Sequence, residues 1–120
     1  MTKEELKART KNFALRIIKL VEALPKTKTG EVIGRQLLRA GTSVAANYRA
    51  ACRAKSVLDF VAKLGIVEEE GDECMFWLEI IVESGLMRKD LVEPLLKEAN
   101  EIVAIIVSSK KTIKSNNKIN

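Results

Sequence analysis

A chain of 120 residues with 47% apolar and 31% charged residues can bury one core but not two, and its 4% aromatic content with few Gly and Pro argues against an all-β fold. It contains no His, which removes the commonest general base, the Ser–His and Cys–His nucleophile pairs and imidazole metal sites together. The net charge of +5 conceals a division: residues 1–55 carry 13 Lys/Arg against 4 Asp/Glu, residues 56–108 carry 4 against 12, and residues 109–120 carry 4 against none.

The first predicted helix covers 3–24, with Leu6, Phe13, Ile17, Leu20, Val21 and Leu24 on one stripe at helical spacing. Pro25 ends it. After a polar connection, Thr29 is the expected N-cap of a second helix over 30–54, with Val32, Ile33, Leu37, Leu38, Val44, Ala45, Tyr48 and Cys52 as its apolar positions. Its middle is small, Ala40-Gly41-Thr42-Ser43 and then Ala45-Ala46, which suits close helix packing. Ser56 with Asp59 reads as a capping pair for a third helix over 57–83, and Ser84-Gly85 is its stop. Its stripe runs through Phe60, Val61, Leu64, Val67, Gly71, Cys74, Met75, Leu78 and Ile81.

Asp90 with Glu93 repeats the capping pattern for a fourth helix over 91–112, with Leu91, Leu95, Ala99, Ile102, Val103 and Ile106 buried. Pro94 suits only its first turn, and a frayed tail is expected at the C-terminal end. Short connections between four amphipathic helices imply an all-α, antiparallel up-down-up-down four-helix bundle in a single domain. No apolar run reaches the ~20 residues of a membrane span, and Cys52 and Cys74 read as small buried thiols of a reducing compartment. A soluble cytoplasmic protein is expected.

The chemistry-bearing residues are ionic. The acidic run Glu68 to Glu73 could hold a hard cation through Glu69 or Glu70 with Glu73, but a solvated helix face is the preferred reading. No phosphate-cradling glycine loop, CxxC pair or nucleophile elbow occurs, so neither an enzyme nor a cofactor is expected. Arg35 with Arg39 and Arg49 with Arg53 form two pairs one turn apart. With Lys55, and with Lys7, Lys11, Lys19, Lys26, Lys28 and the lysine-rich tail nearby, they make a candidate phosphate-binding patch. Tyr48 reads as core, and Trp77 as a residue of the bundle's rim, against the first helix or a neighbouring subunit.

The stretch Arg35-Gln-Leu-Leu-Arg-Ala-Gly-Thr-Ser-Val-Ala-Ala-Asn-Tyr-Arg-Ala50, then Ser56-x-x-Asp-Phe-x-x-Lys-Leu and Glu73-x-x-x-Trp-Leu-Glu79, resembles the bacterial four-helix-bundle proteins encoded in ribosomal RNA intervening sequences. The accessory variability protein of diversity-generating retroelements is related to that family. The resemblance runs from the first helix to Ile106, and Tyr48-Arg-Ala-Ala51 departs from the most familiar pattern after Asn47, which favours the intervening-sequence type over the retroelement type. It implies a bundle that assembles as a ring, a pentamer in family members, with no enzymatic activity assigned.

Two functions fit these readings. In the first, the ring binds structured RNA or DNA without sequence preference, through Arg35, Arg39, Arg49, Arg53 and Lys55. In the second, a protein-interaction scaffold self-assembles with the same arginines against a neighbour's Glu69, Glu70 and Glu73, beside Trp77, and nucleic acid plays no part. Ser43 is read as a packing residue and the role of Asn47 is left open.

Overall fold

The computed structural model describes residues 1–118, which form four helices, α1 (Lys3–Glu22), α2 (Lys28–Ala51), α3 (Val57–Glu83) and α4 (Lys89–Asn116). Thr2 opens α1 through a capping box, its hydroxyl oxygen accepting from the Glu5 amide at 3.0 Å while the Glu5 carboxylate accepts from the Thr2 amide at 3.4 Å. The helix stops two residues before Leu24, because Pro25 disfavours helical geometry at the residue preceding it. Leu24 is still buried, in the turn.

The second helix begins and ends earlier than the sequence suggests. Thr27, not Thr29, is its N-cap, with its hydroxyl oxygen accepting from the Gly30 amide at 3.1 Å. At the other end, the Ser56 hydroxyl oxygen accepts from the Asp59 amide and the Asp59 carboxylate accepts from the Lys55 amide, both at 3.1 Å. This cap draws Ser56 into extended backbone, so α2 gives way at Ala51 rather than at Ala54. The third helix keeps its expected bounds. It ends in a Schellman motif, with Gly85 at φ 77°, Leu86 N donating to Ile81 O and Gly85 N donating to Val82 O.

The fourth helix differs most from expectation. Arg88 is its N-cap and offers no side-chain cap, since a guanidinium has donors only and cannot accept from a backbone amide; it donates instead to the Asp90 carboxylate. Starting at Lys89 places Pro94 in the second turn, where only the bond to the Asp90 carbonyl is lost. The buried row is Val92, Leu95, Ala99, Ile102 and Ile106, and Leu91 is turned to solvent at 57% exposure. The chain expected to fray after residue 112 stays helical to Asn116, with Ile113 packed on the core and Lys110 bound to Glu68 on α3 at 2.8 Å.

Sequential helices pack on one another, α1 on α2, α2 on α3 and α3 on α4, and the last closes more sparsely on α1. The linking contacts run in opposite directions along each pair: Arg9 meets Glu98 and Glu101, while Leu20 and Ala23 share a cleft with Leu91 and Leu95 farther back along α4. The bundle is therefore antiparallel, up-down-up-down, and measures 48 × 22 × 20 Å. Phe13, Ile17, Leu37, Leu64, Leu78, Ile81, Ile102 and Ile106 fill its centre, and Tyr48 joins them. Thr10 is also fully buried, its hydroxyl donating to Leu6 O at 3.0 Å.

Of the small residues in α2, Ala40 and Gly41 serve close packing: a Cβ at Gly41 would lie 2.8 Å from Ile17 Cγ2. Thr42, Ala45 and Ala46 do not enter the core. Val32, expected inside, is 43% exposed. Among the described residues no helix is long and apolar enough to cross a membrane.

Candidate nucleic-acid interface

The arginines of α2 do not form one patch. Arg39 leans toward α3, where Nη1 donates to Glu70 Oε2 at 3.0 Å and Nη2 donates to Glu73 Oε2. Trp77 Nε1 donates to the same Glu73 oxygen at 3.1 Å. These donors, Arg39 first and Trp77 second, hold the Glu73 carboxyl below the usual carboxylate range, and Glu73 and Glu70 in turn raise Arg39 above the ordinary guanidinium value. Thus Arg39, Glu70, Glu73 and Trp77, read as parts of a phosphate site and a subunit interface, meet within one chain at the α2–α3 seam. Trp77 accordingly has its partner on its own helix and away from α1, with Phe76 edge-on to its ring at 4.9 Å between centroids. Glu69 is exposed and makes no ion pair among the described residues.

Arg35, one turn before Arg39, lies instead by the α1–α2 turn in a small cleft with Pro25 and Glu31. It stands about 21 Å from Arg49 along the helix, at 1.5 Å per residue. Lys55 belongs to a third place, a cleft beyond the end of α2 with Lys3 and Cys52. Arg49 and Arg53 remain together. They form one wall of a groove of about 560 Å³ between α2 and α1, with Lys7 and Lys11 on the opposite wall and Ala8, Ala45 and Ala46 between them. Lys7 carries the only ion pair among these four cations within the described residues, to Glu4 at 3.1 Å near the groove's end.

In sequence, Lys7 and Lys11 are no closer to this pair than Lys19, Lys26 and Lys28 are. The signal that places Lys7 and Lys11 is register: in an antiparallel hairpin anchored where Gly41 meets Ile17, advance along α2 is matched by retreat along α1, which brings Arg49 to a level between Lys7 and Lys11 and Arg53 toward the Glu4 end of the groove. Ser43 and Asn47 pair with each other, since Asn47 Nδ2 donates to Ser43 Oγ at 2.8 Å and to Ser43 O at 2.9 Å. Both are half-buried on α2.

The acidic run does not collect into a cation site. Glu68 binds Lys110, and Glu70 and Glu73 bind Arg39. Among the described residues no group of three or more His, Cys, Asp or Glu is arranged to hold a metal ion. Across the other seam, Arg9 donates from Nε and Nη2 to the two Glu98 oxygens at 2.8 and 2.7 Å, and from Nη2 to Glu101 at 2.8 Å. In residues 1–55, Lys7, Arg9 and Arg39 are the cations with an ion-pair partner among the described residues. The others, Arg35, Arg49, Arg53 and Lys55 among them, face solvent or the clefts without an ion pair among the described residues, although Lys55 lies near Asp59 and Arg35 shares its cleft with Glu31.

Residues 3–108 match the family described as 23S rRNA-intervening sequence protein. A solved structure from Bacteroides thetaiotaomicron, described as a protein of unknown function from the S23 ribosomal protein family, superposes with a TM-score of 0.86 at 32% identity, over 92% of this chain and 99% of that one. A curated relative, the chloroplastic protein TIC 62 of Arabidopsis thaliana, is 37% identical over 87 residues. That stretch is 72% of this chain and only 13% of the relative, so the chain corresponds to a small part of it. Neither the family nor the solved neighbour is described as an enzyme.

Proposed function

Because the chain belongs to the family of 23S rRNA-intervening sequence proteins, we propose that it is a non-enzymatic, cytoplasmic bundle that assembles as a homo-oligomeric ring, five-membered on the family pattern. In this reading it binds structured RNA or DNA without sequence preference through the basic face of α1 and α2. The observation that carries it is the distribution of cations without an ion pair: the clasps to α3 and α4 engage Arg39 and Arg9 and leave Arg35, Arg49, Arg53, Lys55 and Lys11 exposed and outside any ion pair among the described residues. A face of this kind attracts a polyanion by releasing its counterions, and nothing in it reads base edges. The descriptions of family and neighbour, 23S rRNA and S23 ribosomal protein, make ribosomal RNA the first ligand to try.

The test is fluorescence anisotropy of a labelled rRNA hairpin at several salt concentrations. About four phosphate contacts give a slope of log K against log salt of about −3 to −4. Replacing Arg49 and Arg53 together by Gln should flatten that slope by about 1.5 to 2. An unchanged slope would remove these residues from the interface, and no binding even at low salt would remove the function. Under a second reading the ring is a protein scaffold, favoured by the exposed row Leu58, Ile66 and Phe76 on α3 at 65%, 42% and 51% exposure. In that case Phe76→Ser breaks the oligomer in sedimentation while nucleic acid has no effect.

A further inference from the structure

We infer that the cleft between the C-terminal end of α1 and the N-terminal end of α4 is a binding site for a single-chain amphipathic anion, an alkyl carboxylate of the fatty-acid class. None of Arg35, Arg49, Arg53 and Lys55 lines this cleft, so the inference stands apart from the nucleic-acid reading. The cleft opens where the bundle is least tightly closed, since α1 and α4 form its sparsest helix pair. Leu20 and Ala23 make one wall, Leu91, Pro94 and Leu95 make the other, and Met87 enters from the turn before α4. Leu91 is 57% exposed, and an apolar side chain of that size, turned out of the core beside other apolar groups, gains when an apolar ligand covers it.

The charge in the cleft is of one sign. Arg16 and Lys19 line it beside Leu20 and no Asp or Glu does, and neither cation has an ion-pair partner among the described residues. Arg16 acts on one carboxylate through its field alone: Glu98, which is held below the usual carboxylate range first by Arg9 and least by Arg16, and whose two oxygens accept from Arg9 at 2.8 and 2.7 Å. Arg16 is half-buried, so its charge is screened less than that of an exposed side chain, and its planar fork matches a carboxylate. Size selects a small molecule over a protein segment. The cleft holds about 350 Å³, at the lower end of the roughly 300–1,000 Å³ of small-molecule sites, and Leu91 and Leu95 lie about 6 Å apart along α4. A stable protein partner needs about 800 Å² on each side, which two such short helical stretches do not offer. An alkyl chain laid between the leucine walls loses its hydration there, and its carboxylate is met by Arg16 and Lys19.

The experiment titrates the intact protein with octanoate, decanoate, decanol, decyltrimethylammonium and acetate, each below its micellar concentration, and follows the leucine and methionine methyl groups by NMR. Decanoate should shift the methyls of Leu20, Met87, Leu91 and Leu95 saturably and leave those of Leu58 in place. Octanoate should bind at least ~4-fold more weakly, about 2-fold or more for each methylene removed from a partly open apolar site. Decyltrimethylammonium should bind at least ~10-fold more weakly than decanoate, because its head meets like charge, and acetate should not bind. Arg16→Gln/Lys19→Gln should weaken decanoate ~5-fold and leave decanol within ~2-fold. Leu91→Asp places a carboxylate in the first turn of α4, where the helix dipole favours it, yet beside the bound anion, so decanoate should weaken at least ~10-fold. Leu58→Asp, in the first turn of α3 and equally exposed to solvent, should leave decanoate binding as it is. Helical circular dichroism confirms that each variant is folded. The inference is overturned by the absence of a saturable shift with decanoate, by shifts centred on other residues, or by equal binding of the anionic and cationic chains. Acetate binding as tightly as decanoate also overturns it, reducing the site to an anion contact. If decanoate does not bind and Leu91→Asp changes the sedimentation of the protein, the cleft is covered by a second copy of the chain and the inference falls.

Discussion

Removal of the Arg9 clasp tests how the bundle closes. The α1–α4 seam is its sparsest contact, and Arg9 spans it with two bonds to Glu98 and one to Glu101. Hydrogen bonds to charged groups contribute about 1.5–3 kcal/mol when sheltered, and exposed ion pairs only about 0.2–1 kcal/mol. With the Arg9 and Glu98 side chains 24% and 16% exposed, the clasp lies between these limits, and Arg9→Met, which keeps most of the apolar stem, should cost about 1–2 kcal/mol. For a chain of this length the unfolding entropy is about 0.25 kcal/mol/K, so Tm falls by about 4–8 °C. The assay is thermal and urea unfolding at one protein concentration, because self-association would add to apparent stability. A cycle with Glu98→Gln should give a coupling of about 1 kcal/mol.

The sign of the pH dependence is fixed by Glu98, whose carboxyl is held below the usual carboxylate range chiefly by the hydrogen bonds from Arg9. A carboxyl depressed in the folded state stabilises the fold above its unfolded pKa, about 4.3, and that contribution disappears as the pH falls through the lower folded value. The cost of Arg9→Met should therefore be full at pH 6 and shrink steadily on acidification below about pH 4. A Tm change under ~1 °C, or a cost that does not vary with pH, would show that apolar packing closes the seam without the clasp.

The glycines fall into two cases. A Cβ at Gly65 meets nothing nearer than Lys110 Nζ at 3.8 Å, so Gly65→Ala should stabilise the helix by up to about 1 kcal/mol. A Cβ at Gly30 would overlap the Pro25 carbonyl oxygen, which is backbone and cannot rotate away, so Gly30→Ala should lose about 1–3 kcal/mol in urea unfolding. For the thiols, burial pushes Cys74 up to about 12 while Cys52 is only half-buried. Ellman's reagent at pH 8 should titrate one thiol per folded chain and the second only after denaturation; simultaneous reaction of both would mean that α3 opens readily.

Helix number, order and most of the core are legible because apolar spacing is a local property. The third helix is placed to the residue, since Ser56, Asp59, Ser84 and Gly85 each act on the backbone within a few positions. The shifts occur where two local signals compete. Thr27 and Thr29 are both competent caps, and Asp90 is a competent cap drawn off by Arg88. Leu91 and Val92 are equally apolar, and the register set by a start at Lys89 decides that Val92 is the one buried. The site was harder to read for a different reason: an ion pair joins residues far apart in the chain, and sequence spacing states only which faces they occupy.

Arg35 and Arg39 make that limit concrete. They share a helix face by spacing, yet one turn rotates the later residue toward α3, where two carboxylates and the Trp77 indole that fixes one of them are waiting. The same angular drift along α2 leaves Arg49 and Arg53 on the side of α1, where Lys7 and Lys11 stand and no carboxylate beyond Glu4 approaches. One row of arginines is thus divided: Arg39 joins the basic half of the bundle to the acidic half, and the pair at the far end of the helix makes no ion pair among the described residues. The division of charge along the sequence is consequently preserved in the folded molecule. Among the described residues only Arg9 and Arg39 form ion pairs from residues 1–55 to residues 56–108, so most of the cations of α1 and α2 are left without a carboxylate partner from α3 or α4.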